Sequence, residues 1–570
     1  MTFLAPVGVS DFLKLRAAGS TYVDKTATVA SVIERGAEVT LFTRPRRFGK
    51  TLLLSTFEAF LQRPEVTGRD TTPLFEDLEV WRSEEARAHH QRHAVVSVSF
   101  KDIKERDWSS AWLGLRRLMV EMVARVARLL DHPEISEARR RWLDSVATME
   151  PGDAQRLLIE LSEALYAATG EQVVILIDEY DAPLHAAWVH GYFEEAIPFF
   201  RGLLGAALKD NRYLYRAVIT GVMRIVRESL FSGLNNIKVC TVMHEEHATA
   251  FGFTEPEVAS LAALAGVPQQ LDGMRAWYDG YRFGDHAIYN PWSVLRYLDR
   301  PEQGFEPHWV NTGGTDLLED LFPSASQETL DAVHELMRGG AVVREVTETL
   351  TLRDLPTASE ALWTLLLATG YVKTLAIAPS PIGYEVTLAI PNREVMVAWR
   401  GMFRRWIDRL AHGGDATRKL TGALLRGDER IFGEVLQDIV ISAFSTLDGD
   451  RRQAERTWQA FLLGLLAALW DDYDVQSERE AGYGRADVLV RPRRPGLPGA
   501  VLELKKREPK ESVDKALTAA MAQIKDRRYA VELAGAAQVT GVAVVFAGKR
   551  VHVRMERLDR PTAEGPSGSR

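Results

Sequence analysis

The stretch RPRRFGKT, Arg44 to Thr51, follows an apolar run from Val39 to Phe42 and opens a helical pattern, Thr51 to Phe60, with Leu52, Leu53, Phe57 and Phe60 apolar. Strand, loop and helix in that order is the setting of a phosphate-binding loop, in which backbone N–H groups and a helix N-terminus cradle an anion. In this reading Arg44, Pro45, Arg46, Arg47, Phe48 and Gly49 form the cradle. Lys50 reaches the β- and γ-phosphates of ATP, and the Thr51 hydroxyl holds Mg²⁺. Arg44 stands where the usual pattern has its first glycine, and a basic turn before a helix would read the same way.

A second motif points to the same chemistry. Val173 to Ile177 is a continuous apolar run, the mark of a strand buried on both faces of a parallel sheet. It ends in Asp178-Glu179-Tyr180-Asp181. An acid at the tip of such a strand lies at the carboxyl edge of the sheet, where α/β folds bind ligands. Asp178 is then the Mg²⁺ ligand and Glu179 the group that orients or deprotonates the attacking water. The alternative is an acidic, solvated loop.

At 570 residues the chain is too long for one core, and ~150 residues per domain gives three or four. Hydrophobic residues make up 46% and charged residues 26%, an ordinary globular balance. The single cysteine, Cys240, excludes a disulfide framework and a cysteine-based zinc site, and suits a reducing cytoplasm. The N-terminus has no basic segment followed by an apolar core, so no signal peptide is expected. The longest strongly apolar stretch, Phe461 to Trp470, is well short of the ~20 residues that span a bilayer. It reads as a buried helix, and no membrane partner is expected.

Strand-like runs at Val39–Phe42, Ala94–Phe100, Val173–Ile177, Leu214–Thr220 and Ile237–Val242 are separated by helical patterns, notably Ser109–Leu130 and Asp153–Ala168. That alternation predicts a parallel sheet with crossover helices. From Glu255 to Leu425 the pattern is mostly helical. From Glu429 onward helix, strand, turn, strand, helix and strand follow, and the Pro/Gly/Ser-rich tail from Leu558 to Arg570 reads as disordered. The expected division is 1–250 for the α/β core, 251–425 for a helical middle region, 426–557 for a second α/β domain and 558–570 for the tail. His89, His90 and His93, and the pair His244 and His247, match no zinc pattern and read as surface or structural histidines.

The C-terminal region carries a second constellation. Ala486–Val490 and Ala500–Leu504 read as strands joined by the turn RPRRPGLPG, Arg491 to Gly499. A hairpin symmetric about Pro495 sets Asp487 directly opposite Glu503, with Cβ atoms ~5 Å apart. Strand periodicity puts Glu503 and Lys505 on one face. Two facing carboxylates repel unless a cation lies between them. The arrangement suits two metal-binding acids, Asp487 and Glu503, with Lys505 placed to activate water or stabilise a phosphoryl transition state. Charged residues on the exposed face of a hairpin would look identical. Net charge is −8, yet Arg485 to Lys510 holds eight basic residues against three acids. That cluster fits phosphate-backbone contact or a solvated face.

RPRRFGKT, VVILIDEYDAP (Val173 to Pro183), TGVMRI (Thr220 to Ile225), FSGLNNI (Phe231 to Ile237), and WYDGYRF followed by YNPWSV (Trp277 to Val294) resemble the AAA-ATPase-like family of bacterial proteins. The segment Phe461 to Tyr529, with SEREAGYGRADVLV and AVLELKK, resembles the PD-(D/E)XK nuclease domain that commonly follows it. The resemblance implies an α/β fold: a P-loop NTPase core of the AAA/RecA-like kind, a helical lid, and a restriction-endonuclease-like C-terminal domain. An arginine at the position of Arg44 belongs to the family's pattern. The resemblance adds Thr220 as a sensor of the γ-phosphate, Arg224 and Arg282 as arginines for transition-state charge, and Gln523 in the helix after the nuclease strands. Glu455 or Glu480 is an extra acid in the same reading. Where the family usually shows Tyr-His before AFLLGLL, this chain has Trp458-Gln459. The implied activity is ATP hydrolysis coupled to Mg²⁺-dependent cleavage of nucleic acid, DNA ahead of RNA, with Mn²⁺ as an alternative at the nuclease site. A homo-oligomer is an open expectation. The rival function is a nucleotide-gated binding module whose nuclease fold only grips nucleic acid or protein.

Overall fold

The computed structural model describes residues 3–223, 236–309, 327–348, 359–381, 383–410, 415–446, 469, 472–481, 484–507, 511–526, 533, 535–548 and 550–558. Arg224, Glu455, Trp458, Gln459, most of the apolar stretch 461–470 and the tail 559–570 lie outside them. The chain divides into two compact units, one of residues 1–312 with 341–395, the other of 313–340 with 396–570.

The first unit is built on five parallel strands: β1 (Val39–Thr43), β2 (Val95–Ser99), β3 (Val173–Asp178), β4 (Leu214–Gly221) and β5 (Ile237–Cys240). Their order is β2-β3-β4-β1-β5. Each matches an apolar run in the sequence, and β1 and β3 are buried at every position. Continuous burial follows from helices covering both faces, as parallel crossovers require. The helices include α1 (Lys50–Leu61), α2 (Trp108–Arg125), α3 (Leu157–Thr169) and α4 (Phe193–Leu208). The parallel pairings bring Ser99 beside Asp178, and Thr43 beside Gly221, at one carboxyl edge. At the opposite end of the sheet His89, His93 and Tyr215 stack, with ring centroids 4.4–5.1 Å apart. A hydrogen-bond chain runs from Tyr215 through His89 and His93 to the Gln172 carbonyl. Burial lowers the His93 pKa to about 4, so these rings pack as neutral groups.

The stretch read as mostly helical contains sheet as well. A short hairpin joins β6 (Tyr281–Phe283) to β7 (His286–Ile288), and β8 (Ala341–Val346), β9 (Lys373–Ser380) and β10 (Gly383–Ala389) form an antiparallel sheet of order β8-β10-β9. β9 hides its strand signal because its run Leu375 to Ala378 is apolar at every position and does not alternate, although Leu375 and Ile377 remain 44% and 40% exposed. No helix among the described residues is long and apolar enough to cross a membrane.

The second unit holds a mixed sheet of order β11-β12-β13-β14-β15, from β11 (Tyr473–Ala481), β12 (Gly484–Pro492), β13 (Gly499–Lys506), β14 (Val539–Ala547) and β15 (Arg550–Leu558). Only β13 and β14 run parallel, and the helix α5 (Val513–Asp526) makes their crossover. Its apolar side packs on Leu489, Val501, Ala543 and Val545.

Glu394 is an unusual core residue of the first unit. It is fully buried, its two carboxylate oxygens accept from Ser293 Oγ at 2.9 and 2.8 Å, and one accepts the Trp309 N–H at 2.8 Å. Burial pushes its pKa up to about 7, against the pull of those donors. The folded state therefore binds a proton that the unfolded chain releases between pH 4.5 and about 7. Stability contributed at this position is greatest below that window and falls as pH rises through it. Glu394→Gln keeps the shape without the charge. Its stability relative to the parent should rise across this window and level off above it, read as the difference between urea midpoints over the pH range.

Candidate functional site

β1 delivers the chain to the loop Arg44–Gly49, and α1 begins at Lys50. Gly49 has φ 89° and Arg47 φ 71°, so the loop bends through the left-handed region just before the helix. Such a bend aims successive N–H groups into a concavity that suits an anion. Lys50 is buried, and its Nζ donates to the carbonyls of Arg44 (3.0 Å) and Pro45 (2.9 Å). Burial lowers its pKa, while Glu179, Asp178 and Asp181 oppose that shift. Phe48 turns inward against Tyr281 and Phe283, with centroids 4.9 and 5.2 Å away. Its carbonyl accepts the Gly252 N–H at 3.2 Å.

Arg44 departs from the expected cradle. Its N–H donates to the Gly221 carbonyl (3.1 Å), tying β1 to β4. Its fully buried guanidinium points away from the loop and donates to the carbonyls of Thr43 (2.9 Å), Cys240 (2.7 Å) and His247 (3.1 Å). It also lies 5.2 and 5.0 Å from the ring centroids of Phe251 and Phe283. Burial lowers its pKa to about 10, so it stays charged at neutral pH, held by carbonyl dipoles and aromatic faces. A side chain committed this way anchors the loop from behind.

The acidic motif lies across from the loop. Asp178 Oδ2 accepts from Thr51 Oγ1 at 2.7 Å, and Asp178 Oδ1 accepts from Thr220 Oγ1 at 2.5 Å. Asp178 thus joins Thr51 and Thr220, three residues that come from separate segments of the sequence. Glu179 follows at φ 50°, a left-handed conformation uncommon outside glycine. It is half-buried, and desolvation raises its pKa while Lys50 lowers it. The fourth residue, Asp181, was not singled out as functional. It is buried and accepts the Val222 and Met223 N–H groups at 2.8 and 2.9 Å. It thereby fixes the chain leaving β4.

A cavity of about 370 Å³ opens over the loop, a volume suited to a small ligand. Arg46, Arg47, Lys50, Thr51 and Glu179 line its polar side, and Tyr22, Val23, Leu261 and Trp292 its apolar side. Arg47 covers the Trp292 ring at 4.2 Å. The N-terminal residues gave no signal in the sequence, since a short irregular segment has no periodicity to read. Arg282 does not line this cavity. Its guanidinium is taken by Gly284 O (3.2 Å), Leu375 O (3.1 Å) and Asp285 (2.8 Å), so it braces the β6–β7 hairpin. Oxygen donors at Thr51 and Asp178 beside an anion cradle fit Mg²⁺, which prefers oxygen ligands.

In the second unit β12 pairs antiparallel with β13, with Val488 opposite Leu502 and Val490 opposite Ala500. That register is symmetric about Pro495, and extending it by one residue sets Asp487 across from Glu503. Glu503 is 3% exposed, Lys505 is half-buried and Lys506 exposed. Strand alternation puts Glu503 and Lys505 on the side of Val501, which packs under α5, the helix that carries the half-buried Gln523. The side chains of Asp487 and Glu480 lie outside the described residues.

Residues 6–231 match the family described as Predicted AAA-ATPase, and residues 453–556 match the PD-(D/E)XK nuclease superfamily. The chain joins an AAA-ATPase-like domain to a PD-(D/E)XK nuclease superfamily domain. A protein of Azotobacter chroococcum mcd 1, described as an uncharacterized protein in vnfD 5'region, is 28% identical over 494 residues, which cover 85% of this chain and 86% of that protein.

The basic run of the nuclease superfamily domain is partly compensated. Arg491 pairs with Asp474 at 2.9 Å, Arg494 pairs with Asp472, and Arg493 Nε donates to the Tyr473 carbonyl at 3.2 Å. Much of the charge that composition suggested for phosphate contact is thus met by the neighbouring strand.

In the AAA-ATPase-like domain the Arg44 clamp is testable. Arg44→Gly restores the usual P-loop glycine but strips three carbonyls of a charged donor. Hydrogen bonds to a charged group contribute roughly 1.5–3 kcal/mol each, so a loss of about 3 kcal/mol or more is expected in urea unfolding. An unchanged midpoint would show that the loop does not need this anchor.

Proposed function

We propose that the AAA-ATPase-like domain binds and hydrolyses ATP, and that the nucleotide state controls a metal-dependent nuclease in the second domain. The observation that supports the ATPase reading best is the bonded set Thr51–Asp178–Thr220, whose Thr51 lines the same cavity as Lys50 and Glu179. Lys50 would leave its two loop carbonyls for the β- and γ-phosphates, and Thr51 and Asp178 would hold Mg²⁺. The metal, when bound, neutralises charge on the phosphates. Glu179 is the base for the attacking water, and its raised pKa makes it a better proton acceptor than an exposed carboxylate. Thr220, bonded to Asp178, senses the terminal phosphate.

In the second domain Asp487 and Glu503 would hold Mg²⁺ or Mn²⁺, with Lys505 and Gln523 completing a phosphodiesterase site. The paired strands and the burial of Glu503 support this reading. DNA is the favoured substrate over RNA, and the cytoplasm the favoured compartment.

Lys50→Ala should abolish ATP hydrolysis and weaken ATP binding, whereas Glu179→Gln should keep ATP bound and slow turnover strongly. Wild-type turnover in either variant would remove that residue from its role. Nicking of plasmid DNA with Mg²⁺ or Mn²⁺, with and without ATP, tests the second activity. Asp487→Asn and Lys505→Ala should each lose cleavage while retaining the fold. Nicking that persists in both would relocate the nuclease site, and no nicking by the parent protein would favour a gripping role for this domain.

A further inference from the structure

The turn after β2 carries charge that the proposed ATPase machinery leaves unused. β2 is the neighbour of β3, and Ser99 is in register with Asp178, so the chain leaving β2 passes beside Asp178 and Glu179. The turn is firmly built. Phe100 N–H donates to the Asp178 carbonyl (3.0 Å), Ile103 N–H to the Phe100 carbonyl (3.1 Å), and Tyr192 Oη to the Glu105 carbonyl (2.8 Å). Phe100 and Ile103 are buried, each 3% exposed. Lys101 and Lys104 are left exposed, and both line the cavity shared by Lys50, Thr51 and Glu179. Neither lysine forms a hydrogen bond or an ion pair among the described residues.

Position along the sheet assigns them an end of the ligand. The apolar wall of Tyr22, Val23 and Trp292 suits a base. The phosphate chain would then run from the loop after β1 towards the metal and water groups on β3. β2 lies beyond β3 in the same direction. Asp102 and Glu105 lie on the same turn but do not line the cavity, so the two lysines are the charges that this turn presents to it, where the terminal phosphate would sit.

We propose that Lys101 and Lys104 contact the terminal phosphate of the bound nucleotide and stabilise its charge during hydrolysis. This rests on the ATPase reading above and adds two catalytic residues to it. Water adds to the γ-phosphorus while the bond from that phosphorus to the bridging oxygen breaks. The bond's electron pair leaves with ADP, and the water's proton passes to Glu179. The lysines hold the oxygens that carry the charge through this exchange and transfer no proton themselves.

The test is the full-length chain carrying Lys101→Ala and Lys104→Ala, compared with the parent and with the Lys101→Arg, Lys104→Arg pair. Turnover of Mg·ATP should fall by about 10²–10³ in the alanine pair, the scale of removing a transition-state donor. Binding of ADP should stay within about twofold of the parent, while the preference for a non-hydrolysable ATP analogue over ADP shrinks. The arginine pair should recover turnover and preference. Parent-like turnover in the alanine pair would overturn the lysine assignment and leave the ATPase reading standing. So would an equal loss of ADP and analogue binding, since a terminal-phosphate contact cannot affect ADP. A parent protein that binds neither nucleotide would overturn the ATPase reading and this inference with it.

Discussion

The Asp178 carboxylate is the interaction on which the ligand-facing edge of the first unit depends. One oxygen takes the hydroxyl of Thr51, the second residue of the helix after β1, and the other takes that of Thr220 near the end of β4. β4 lies between β1 and β3 in the sheet, so this one side chain on β3 bonds groups carried by the two strand segments next in order, β4 and β1. The bonds do not exist until the sheet is assembled. Once it is, each is charge-assisted and partly shielded from water, conditions under which hydrogen bonds are strongest. The edge that would meet a polyanion is therefore organised by an anion of the protein itself.

Around that edge the chain compensates for a missing glycine. An arginine at the start of a tight loop has to go somewhere, and here it goes inward, where carbonyls at the end of β5 and the His247 turn receive it. Phe48 turns inward from the other end of the loop onto Tyr281 and Phe283. Phe283 meets both groups, so one ring of the β6–β7 hairpin braces both ends of the loop. The left-handed residues Arg47 and Gly49 alternate with these inward anchors. A loop fixed at both ends presents its N–H groups with little reorganisation left to occur, which favours tight anion binding.

The second unit follows a different logic. Its sheet buries Glu503 on the face that α5 covers, the face that also carries the apolar Val501 and Leu489. A buried carboxylate is costly unless something positive offsets it. Lys505 two residues along the same strand, and a metal shared with Asp487, are the groups that our proposal supplies for that purpose. Arg491 at the end of β12 and Arg494 in the turn are instead drawn towards Asp474 on β11 and Asp472 just before it. Charge counted along the sequence therefore overstates what this surface offers to phosphate.

The five parallel strands were legible because each holds a mostly apolar run between helical patterns, and the β12–β13 pairs that the structure shows have the register of a hairpin centred on Pro495, the centre that the sequence reading supposed. Lys50, Thr51 and Asp178 could be named from local motifs, since each motif lies at a strand end whose position the alternation of strand and helix dictates, whereas Thr220 was named only through the family resemblance. The three-stranded sheet β8-β10-β9 was not legible, because β9 is apolar on both faces and lacks the period-two alternation that marks a strand. The direction of the Arg44 side chain, the pairing of Asp181 with Val222 and Met223, and the convergence of Trp292, Tyr22 and the turn after β2 on one cavity were likewise decided by tertiary structure. Those facts join residues tens to hundreds of positions apart. Sequence fixes which groups are available at each strand end through local periodicity. Only the order of strands in the sheet fixes which of those groups meet.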